Sequence, residues 1–312
     1  MSNRHLVVLG GTGFVGSHLV PALARAGWQV TVASRNAERL RQLAVLPEVR
    51  VVSVDVYDRA ALVPLLRGAD AAINLVGILN EPGRNGAGFR RAHVDLSNAL
   101  IGACKEAGVS RLLQMSSLNA GRGSSYYLLT RGEAEQRVKS SELEWTLFQP
   151  SVIFGPGDGL FFRFASLLAL TPVLPLARAD AKFAPVFVGD VVNAFLHALD
   201  DRSTIGQTYE LYGPEVVSLR DIVTYTARHL GLRRWVIGLP NPLGRLQAAV
   251  FDFVPGKPFS SDNWKSLQID SVGGIDGLFR MGIEKTPIDA VMPALLSGDE
   301  HQARLDRCRA LR

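Results

Sequence analysis

A short apolar run, Leu6-Val7-Val8-Leu9, passes directly into Gly10-Gly11-Thr12-Gly13-Phe14-Val15-Gly16 and then into an amphipathic stretch over 14–25. Three glycines spaced by threes, at a turn that ends a strand and opens a helix, leave a chain few ways to fold. Gly10 permits the tight turn, Gly13 lets backbone approach a ligand with no Cβ in the way, and Gly16 lets the helix lie close on the strand. The first turn of that helix presents unpaired N–H groups and the positive end of its dipole. Gly10, Thr12, Gly13, Phe14, Val15 and Gly16 are therefore the expected cradle of a pyrophosphate. A plain glycine turn is the bland alternative, and the strand-turn-helix context argues against it.

Residues 5–9, 29–33, 49–54, 71–76, 111–115 and 145–148 read as β-branched or apolar strands, separated by segments of helical length. Each parallel connection needs a crossover long enough to hold a helix, so this alternation predicts an α/β fold with a doubly wound parallel sheet of the Rossmann type. After Pro150 the punctuation changes to Gly155-Pro156-Gly157 and to prolines at 172 and 175. At about 150 residues per domain, 312 residues make two units. The boundary is placed there: 1–150 as the dinucleotide-binding domain, 151–312 as a smaller C-terminal α/β lobe for substrate or partner. Helices are expected at 190–199, 219–230 and 241–253 and short strands at 207–211 and 235–237, with one segment free to return to the first sheet.

The end of the second strand speaks to the cofactor. A site for NAD carries an acidic residue about 20 positions after the glycine turn, accepting from the ribose 2′-hydroxyl. Here stands Ala33-Ser34-Arg35-Asn36. Arg35 offers a fork of donors suited to a 2′-phosphate and Ser34 adds a hydroxyl, whereas a carboxylate would repel that group. NADP(H) is expected ahead of NAD, although Arg39 and Arg41 show that arginine is common in this stretch. Asp55-Val56 after the third strand and Leu75-Val76-Gly77 after the fourth lie at the carboxyl edge of the sheet, where open α/β sheets bind ligands, and are assigned to the adenine and ribose. For Asp55 a turn or capping role is an equal alternative.

The fifth strand ends in Gln114-Met115-Ser116-Ser117, and a helix opens with Tyr127-Leu128-Leu129-Thr130-Arg131. Taken with the glycine loop, this resembles the short-chain dehydrogenase/reductase superfamily. Gly132-Glu133-Ala134-Glu135, Gln149-Pro150-Ser151-Val152-Ile153-Phe154-Gly155-Pro156-Gly157-Asp158, Pro172-Val173-Leu174-Pro175 and Pro185-Val186-Phe187-Val188-Gly189-Asp190-Val191 narrow it. Together they are similar to the atypical branch that contains the nucleotide-binding accessory subunit of respiratory complex I and its bacterial epimerase/dehydratase-like relatives. The resemblance covers about residues 4 to 215.

It implies Ser117 as the holder of the substrate oxygen, Tyr127 as general acid or base, and the residue one helical turn on as its cation. It also places Pro150, Ser151 and Val152 at the cofactor. Active members of the superfamily carry Tyr-x-x-x-Lys, and this chain has Arg131. A phenol with a pKa of about 10 needs a nearby cation to titrate near neutrality. Arginine remains a fixed cation but is larger and cannot shed its proton. Tyr126 offers no substitute, since Thr130 lies one turn after it. His93 and Asn98, on the preceding helix, are within possible reach, with a structural role the commoner fate of a lone histidine.

Lys and Arg number 34 against 29 Asp and Glu, a net charge of +5 with no long run of one sign, so nucleic acid is not an expected partner. Two cysteines, Cys104 and Cys308, far apart, encode neither a disulfide framework nor a zinc site, and the histidines show no ligand spacing. No metal is expected, a Gly-x-Ser-x-Gly elbow is absent, and no apolar stretch is long enough to span a membrane. A cytoplasmic protein, or one peripheral at the inner face of a membrane, is the expectation.

The stretch 160–170, Leu-Phe-Phe-Arg-Phe-Ala-Ser-Leu-Leu-Ala-Leu, is apolar nearly all round. Either the second lobe covers it, or Phe161, Phe162 and Phe164 line a pocket for a lipophilic substrate such as a quinone, or face a membrane-associated protein complex. Two functions stay open. One is an NADP(H)-dependent oxidoreductase or epimerase-like enzyme acting on a carbonyl, hydroxyl or quinone. The other is a non-catalytic NADPH-binding structural or sensor protein of a respiratory or quinone-biosynthesis complex.

Overall fold

The computed structural model describes residues 4–35, 45–255 and 257–297. Asn36, Arg39, Arg41, His301 and Cys308 lie outside the described residues. Strands β1 (His5–Leu9), β2 (Gln29–Ser34), β3 (Val49–Ser53), β4 (Ala71–Asn74), β5 (Arg111–Met115) and β6 (Glu144–Pro150) form one parallel sheet in the order β6-β5-β4-β1-β2-β3. The order reverses between β1 and β4. The crevice at that switch point is where an open α/β sheet takes its ligand.

Helices α1 (Phe14–Arg25), α2 (Arg59–Leu66), α3 (Ala87–Arg90), α4 (Leu96–Ala107) and α5 (Tyr126–Lys139) fill the crossovers. Alternate residues of β1 serve the two faces: Leu6 and Val8 join the cluster under α1, and Val7 and Leu9 the cluster under α2 and α4. All four are fully buried, which is why the strand reads as a continuous apolar run. Strand β4 stops at Asn74, two residues earlier than the sequence suggests. Its Oδ1 accepts the Val76 N–H at 3.0 Å and turns the chain, while its Nδ2 donates to Gln114 Oε1 at 2.9 Å across to β5.

Beyond Pro150 come β7 (Ile153–Phe154), α6 (Phe161–Leu170), β8 (Val173–Ala177), β9 (Lys182–Phe183), β10 (Val186–Phe187) and α7 (Val188–Asp200). They are followed by β11 (Gln207–Leu211), β12 (Val217–Ser218), α8 (Leu219–His229), β13 (Trp235–Leu239), α9 (Asn241–Phe251) and α10 (Ser261–Ser266). The expected six strands become seven. β11 adds parallel to β6, and α7 packs on the same face as α1, so both belong to the sheet although they lie past residue 150. Without β11 the backbone of β6 would be an open edge. Phe148 of β6 and Phe195 of α7, with ring centroids 4.2 Å apart, seal this side.

Arg111 ties the same layers. Its guanidinium, buried, donates to Glu144 O, Thr146 Oγ1, Ala198 O and Thr204 Oγ1 at 2.6–3.0 Å. The rest of the second lobe closes around a third core, in which three two-stranded pairs, β7 with β10, β9 with β12 and β8 with β13, are joined by α6 and α8. Phe161 is fully buried there, with Phe164 and Leu167 packed against the same cluster. The lobe therefore covers one side of α6, leaving Ala169 and Leu170 at its end exposed, and Phe161 does not line an entrance.

Candidate active site

The glycine turn divides its labour as its geometry requires. Gly10 has φ +77°, and a Cβ there would lie 2.9 Å from the Val76 nitrogen. A Cβ on Gly16 would come within 2.5 Å of the Gly11 backbone, so the helix lies against the strand only because that carbon is missing. Gly13 differs. Its φ of −82° suits any residue, and a Cβ would meet nothing nearer than Gly10 O at 3.4 Å. The space it keeps open faces outward. Gly13 is also the N-cap of α1 and no side chain caps that helix, so its leading N–H groups are available to an anion. Thr12 and Gly13 are exposed and Phe14 half-buried at this mouth, whereas the side chains of the buried Val15 and Val56 belong to the core and offer only backbone.

Past the end of β2, Arg35 is exposed and stands over the Tyr57 ring at 5.9 Å, with Ser34 half-buried before it. A second guanidinium, Arg91, lies over the same ring at 4.6 Å. Sequence reading missed Arg91, because its approach depends on the fold bringing the helix after β4 beside the loop after β3. The pair makes a basic corner where an adenosine ribose would end. Asp55 Oδ1 accepts the Tyr57 N–H at 3.1 Å in a tight turn, and the cap of α2 is Asp58.

On the other side of β1, the ends of β4 and β5 meet the first turn of α5. Tyr127 is half-buried, its ring edge-on to Phe89 and His93 with centroids at 6.1 and 5.6 Å. Arg131, one turn later and buried, sends Nη1 to Met115 O at 3.0 Å and Val76 O at 3.3 Å, its Cζ 5.6 Å from the Tyr127 ring centroid. The guanidinium runs beside Gly77, where any Cβ would strike Nη2. Ser116 and Ser117 follow Met115 directly. Among the described residues, Ser116 Oγ, Ser117 Oγ, His93 Nε2 and Arg131 Nε are buried with no hydrogen-bond partner. Buried polar groups are seldom left so; His93 and Arg131 lie against the Tyr127 ring, and Ser116 and Ser117 follow the Met115 carbonyl that Arg131 holds. Their donors and acceptors are of the kind that the nicotinamide half of a dinucleotide would need.

Ser151 is differently engaged. Its Oγ donates to Ser271 O at 2.7 Å, Pro150 O accepts the Leu118 N–H at 2.9 Å, and Val152 packs on the third core. Asn98 is exposed on α4.

The start of α5 is held from the far lobe. Ser125 caps Leu128 N–H, and Asp262 of α10 accepts the N–H groups of Tyr126 and Tyr127 at 2.6 and 3.1 Å. Burial raises the Asp262 carboxyl above its ordinary range, against the lowering effect of those two amides. Nearby, Lys257 Nζ donates to the carbonyls of Glu81, Pro82 and Gly83, and Glu81 in turn accepts Gly86 and Gly88 N–H at 2.7 Å. A cleft of about 50 Å³ between these segments touches Phe89, Tyr126, Asp262 and Lys265. Neither Asp262 nor Lys257 carried any signal in sequence, since both act through distant backbone.

Residues 10–158 match a family model described as NAD(P)H-binding. The chain is 31% identical to subunit 9 of the mitochondrial NADH dehydrogenase [ubiquinone] 1 alpha subcomplex of Arabidopsis thaliana, over 86% of this chain and 68% of that one. It belongs to the family of these subunit 9 proteins. The mouse member of the family is 30% identical over 90% of this chain and 77% of its own length. A ceramide reductase of Caulobacter vibrioides is 33% identical over 59% of this chain and 57% of its own. In fold, the family's sheet and lobe match a dTDP-glucose 4,6-dehydratase from Streptomyces venezuelae, with a TM-score of 0.75 at 18% identity, covering 96% of this chain and 98% of the other. Among the described residues no helix is long and apolar enough to cross a membrane.

Proposed function

We propose that this protein binds NADP(H) across the switch point and reduces a carbonyl compound held between Tyr127, Ser117 and the second lobe. The observation that carries this reading is the set of buried, unpartnered polar atoms on His93 and Arg131, which flank Tyr127, and on Ser116 and Ser117 at the end of β5. The dinucleotide, when bound, supplies the hydride. Ser117 Oγ donates a hydrogen bond to the carbonyl oxygen, and Tyr127 gives that oxygen its proton as negative charge develops there. Arg131 contributes a fixed positive charge beside the phenol. The basic corner of Arg35 and Arg91 supports NADP(H) over NAD(H). Similarity to a ceramide reductase supports a lipophilic carbonyl as substrate class.

A second reading rests on Arg131 itself. Its Nη1 is held by two backbone carbonyls, and a cation so tied ends a polar network instead of serving turnover. On that reading the protein is a non-catalytic NADPH-binding subunit of a membrane-peripheral respiratory assembly on the cytoplasmic side, as similarity to complex I subunits suggests.

NADPH oxidation over a panel of quinones, aldehydes and long-chain ketones separates the two. The enzyme reading expects turnover that Tyr127→Phe abolishes and Arg131→Lys preserves or raises. The binding reading expects no oxidation by either form, with NADPH affinity of the lysine variant within a few-fold. A lysine variant that loses the dinucleotide altogether refutes both.

A further inference from the structure

His93 sits in a single π-helical turn, Arg91–Asp95, between α3 and α4, and is 1% exposed. Such turns interrupt a helix at a cost and recur at functional sites. The imidazole is uncharged at any physiological pH, its pKa pushed down to about 2 by burial and by the Arg131 cation. One of its two nitrogens therefore carries hydrogen and the other a bare lone pair, and the neighbouring hydrogen bonds decide which. Thr130 Oγ1 has one proton and two backbone carbonyls of its own helix in reach, Tyr126 O at 2.7 Å and Tyr127 O at 3.2 Å, the usual acceptors of a helical threonine. With the proton on either carbonyl the hydroxyl accepts from His93 Nδ1, at 2.8 Å, which assigns the hydrogen to Nδ1, an assignment that the imidazole 15N spectra below read directly. The lone pair is on Nε2, which is buried and has no partner among the described residues.

The position of this lone pair narrows what it meets. In the sheet order β5-β4-β1-β2, the phosphate turn ends β1 and the basic corner of Arg35 follows β2, on the adenosine side. His93 lies on the opposite side, against Tyr127 and electrostatically coupled to Arg131, whose guanidinium spans the ends of β4 and β5. That is the side reserved for the far half of the ligand. We propose that His93 Nε2 is a fixed hydrogen-bond acceptor for the nicotinamide half of the dinucleotide, receiving an O–H or N–H from its ribose or carboxamide. The cation of the motif is committed to backbone carbonyls, and the histidine supplies the acceptor.

This rests on the dinucleotide site described above, and the test keeps the two apart. Binding to the full chain is measured by calorimetry with NADPH and NADH as whole ligands and with 2′,5′-ADP and ADP as their adenosine halves. His93→Leu should weaken the whole dinucleotide about tenfold, the value of one lost hydrogen bond into a buried site, and leave the half-molecules unchanged. His93→Gln, which keeps an acceptor, should recover most of the loss. A leucine variant that weakens whole and half ligands alike, or neither, overturns the role of His93. Wild-type protein that binds no probe overturns the site as well. Imidazole 15N spectra of the free protein give an independent reading: a protonated Nε2 with a bare Nδ1 also overturns it.

Discussion

Substituting the same methyl group at two positions of the glycine turn separates folding from binding. At Gly16 the new Cβ would sit 2.5 Å from the Gly11 Cα, carbonyl carbon and oxygen, about 1 Å inside ordinary contact, and backbone cannot swing aside as a side-chain tip can. Helix α1 must shift off the sheet, an overpacking cost of about 1–3 kcal/mol. At about 2–4 °C per kcal/mol for a domain of this size, Gly16→Ala should melt several degrees early and lose dinucleotide affinity with its helix displaced. At Gly13, with φ −82° and a nearest atom at 3.4 Å, alanine strains nothing in the protein. The exchange of glycine for alanine at an N-cap costs under about 1 kcal/mol, so the melting point should stay within about 3 °C. The methyl nonetheless stands between the leading N–H groups of α1 and a phosphate. Charge-assisted bonds are worth about 1.5–3 kcal/mol each, so NADPH affinity should fall at least tenfold. Differential scanning calorimetry and titration calorimetry of the two variants decide the matter. A Gly13→Ala protein that melts as early as Gly16→Ala, or that binds NADPH like wild type, refutes the division of roles.

NADP(H) should bind more tightly than NAD(H), and Arg35→Ala or Arg91→Ala should each remove about tenfold of the difference by calorimetry; equal affinities in the native protein would contradict this. The histidine at 93 makes stability pH-dependent. Its folded pKa, about 2, lies below the ordinary 6.5, so the unfolded chain binds the extra proton, and this contribution to stability is full above pH 6.5 and lost as pH falls toward 2. In urea unfolding, the His93 share of the loss should be up to about 1.4 kcal/mol per pH unit below 6.5, read as the difference in slope between wild type and His93→Gln. Arg111→Met, which removes the donor shared by four acceptors, should cost about 2–4 kcal/mol in urea unfolding, and a loss below 1 kcal/mol would mean the network is redundant. Burial pushes the Cys104 thiol up to about 12, so in a Cys308→Ser background thiol reagents should modify it only after unfolding.

The parallel sheet was legible because each of its strands is buried on both faces and separated by a helix, so apolar runs such as Leu6-Val7-Val8-Leu9 need no partner to be recognised. What escaped was whatever depends on contacts between distant segments. A strand at 207–211 and a segment returning to the sheet were both expected, but that the two are one, β11 covering the edge of β6, was not. Asn74 ends β4 by capturing a neighbour's N–H, which a run of apolar letters hides. At the site, the spacing of Tyr127 and Arg131 could be read directly, but the destination of the guanidinium is set by the carbonyls of Val76 and Met115 and by the bare face of Gly77. The tautomer of His93 depends on Thr130, and the basic corner on Arg91 reaching Tyr57. The covering of Phe161 and Leu168 in α6 required the third core to be assembled, since an apolar helix looks the same whether its cover is its own lobe or another molecule.

Asp262 and Lys257 give the two lobes a shared thermodynamic fate. One carboxylate ends the orphaned amides of the tyrosine helix, and one ammonium gathers three carbonyls of the loop after β4, so neither the helix start nor that loop is complete without the C-terminal segment. Whatever orders the tyrosine helix therefore also favours the docked form of residues 257–266, by the same free energy in both directions. A ligand gripped at the sheet edge tightens a segment that touches none of the glycine turn, and cutting or loosening that segment slackens the ligand's grip. In a two-lobed protein this makes the C-terminal strap a reporter of occupancy, readable by proteolysis or hydrogen exchange far from the phosphates.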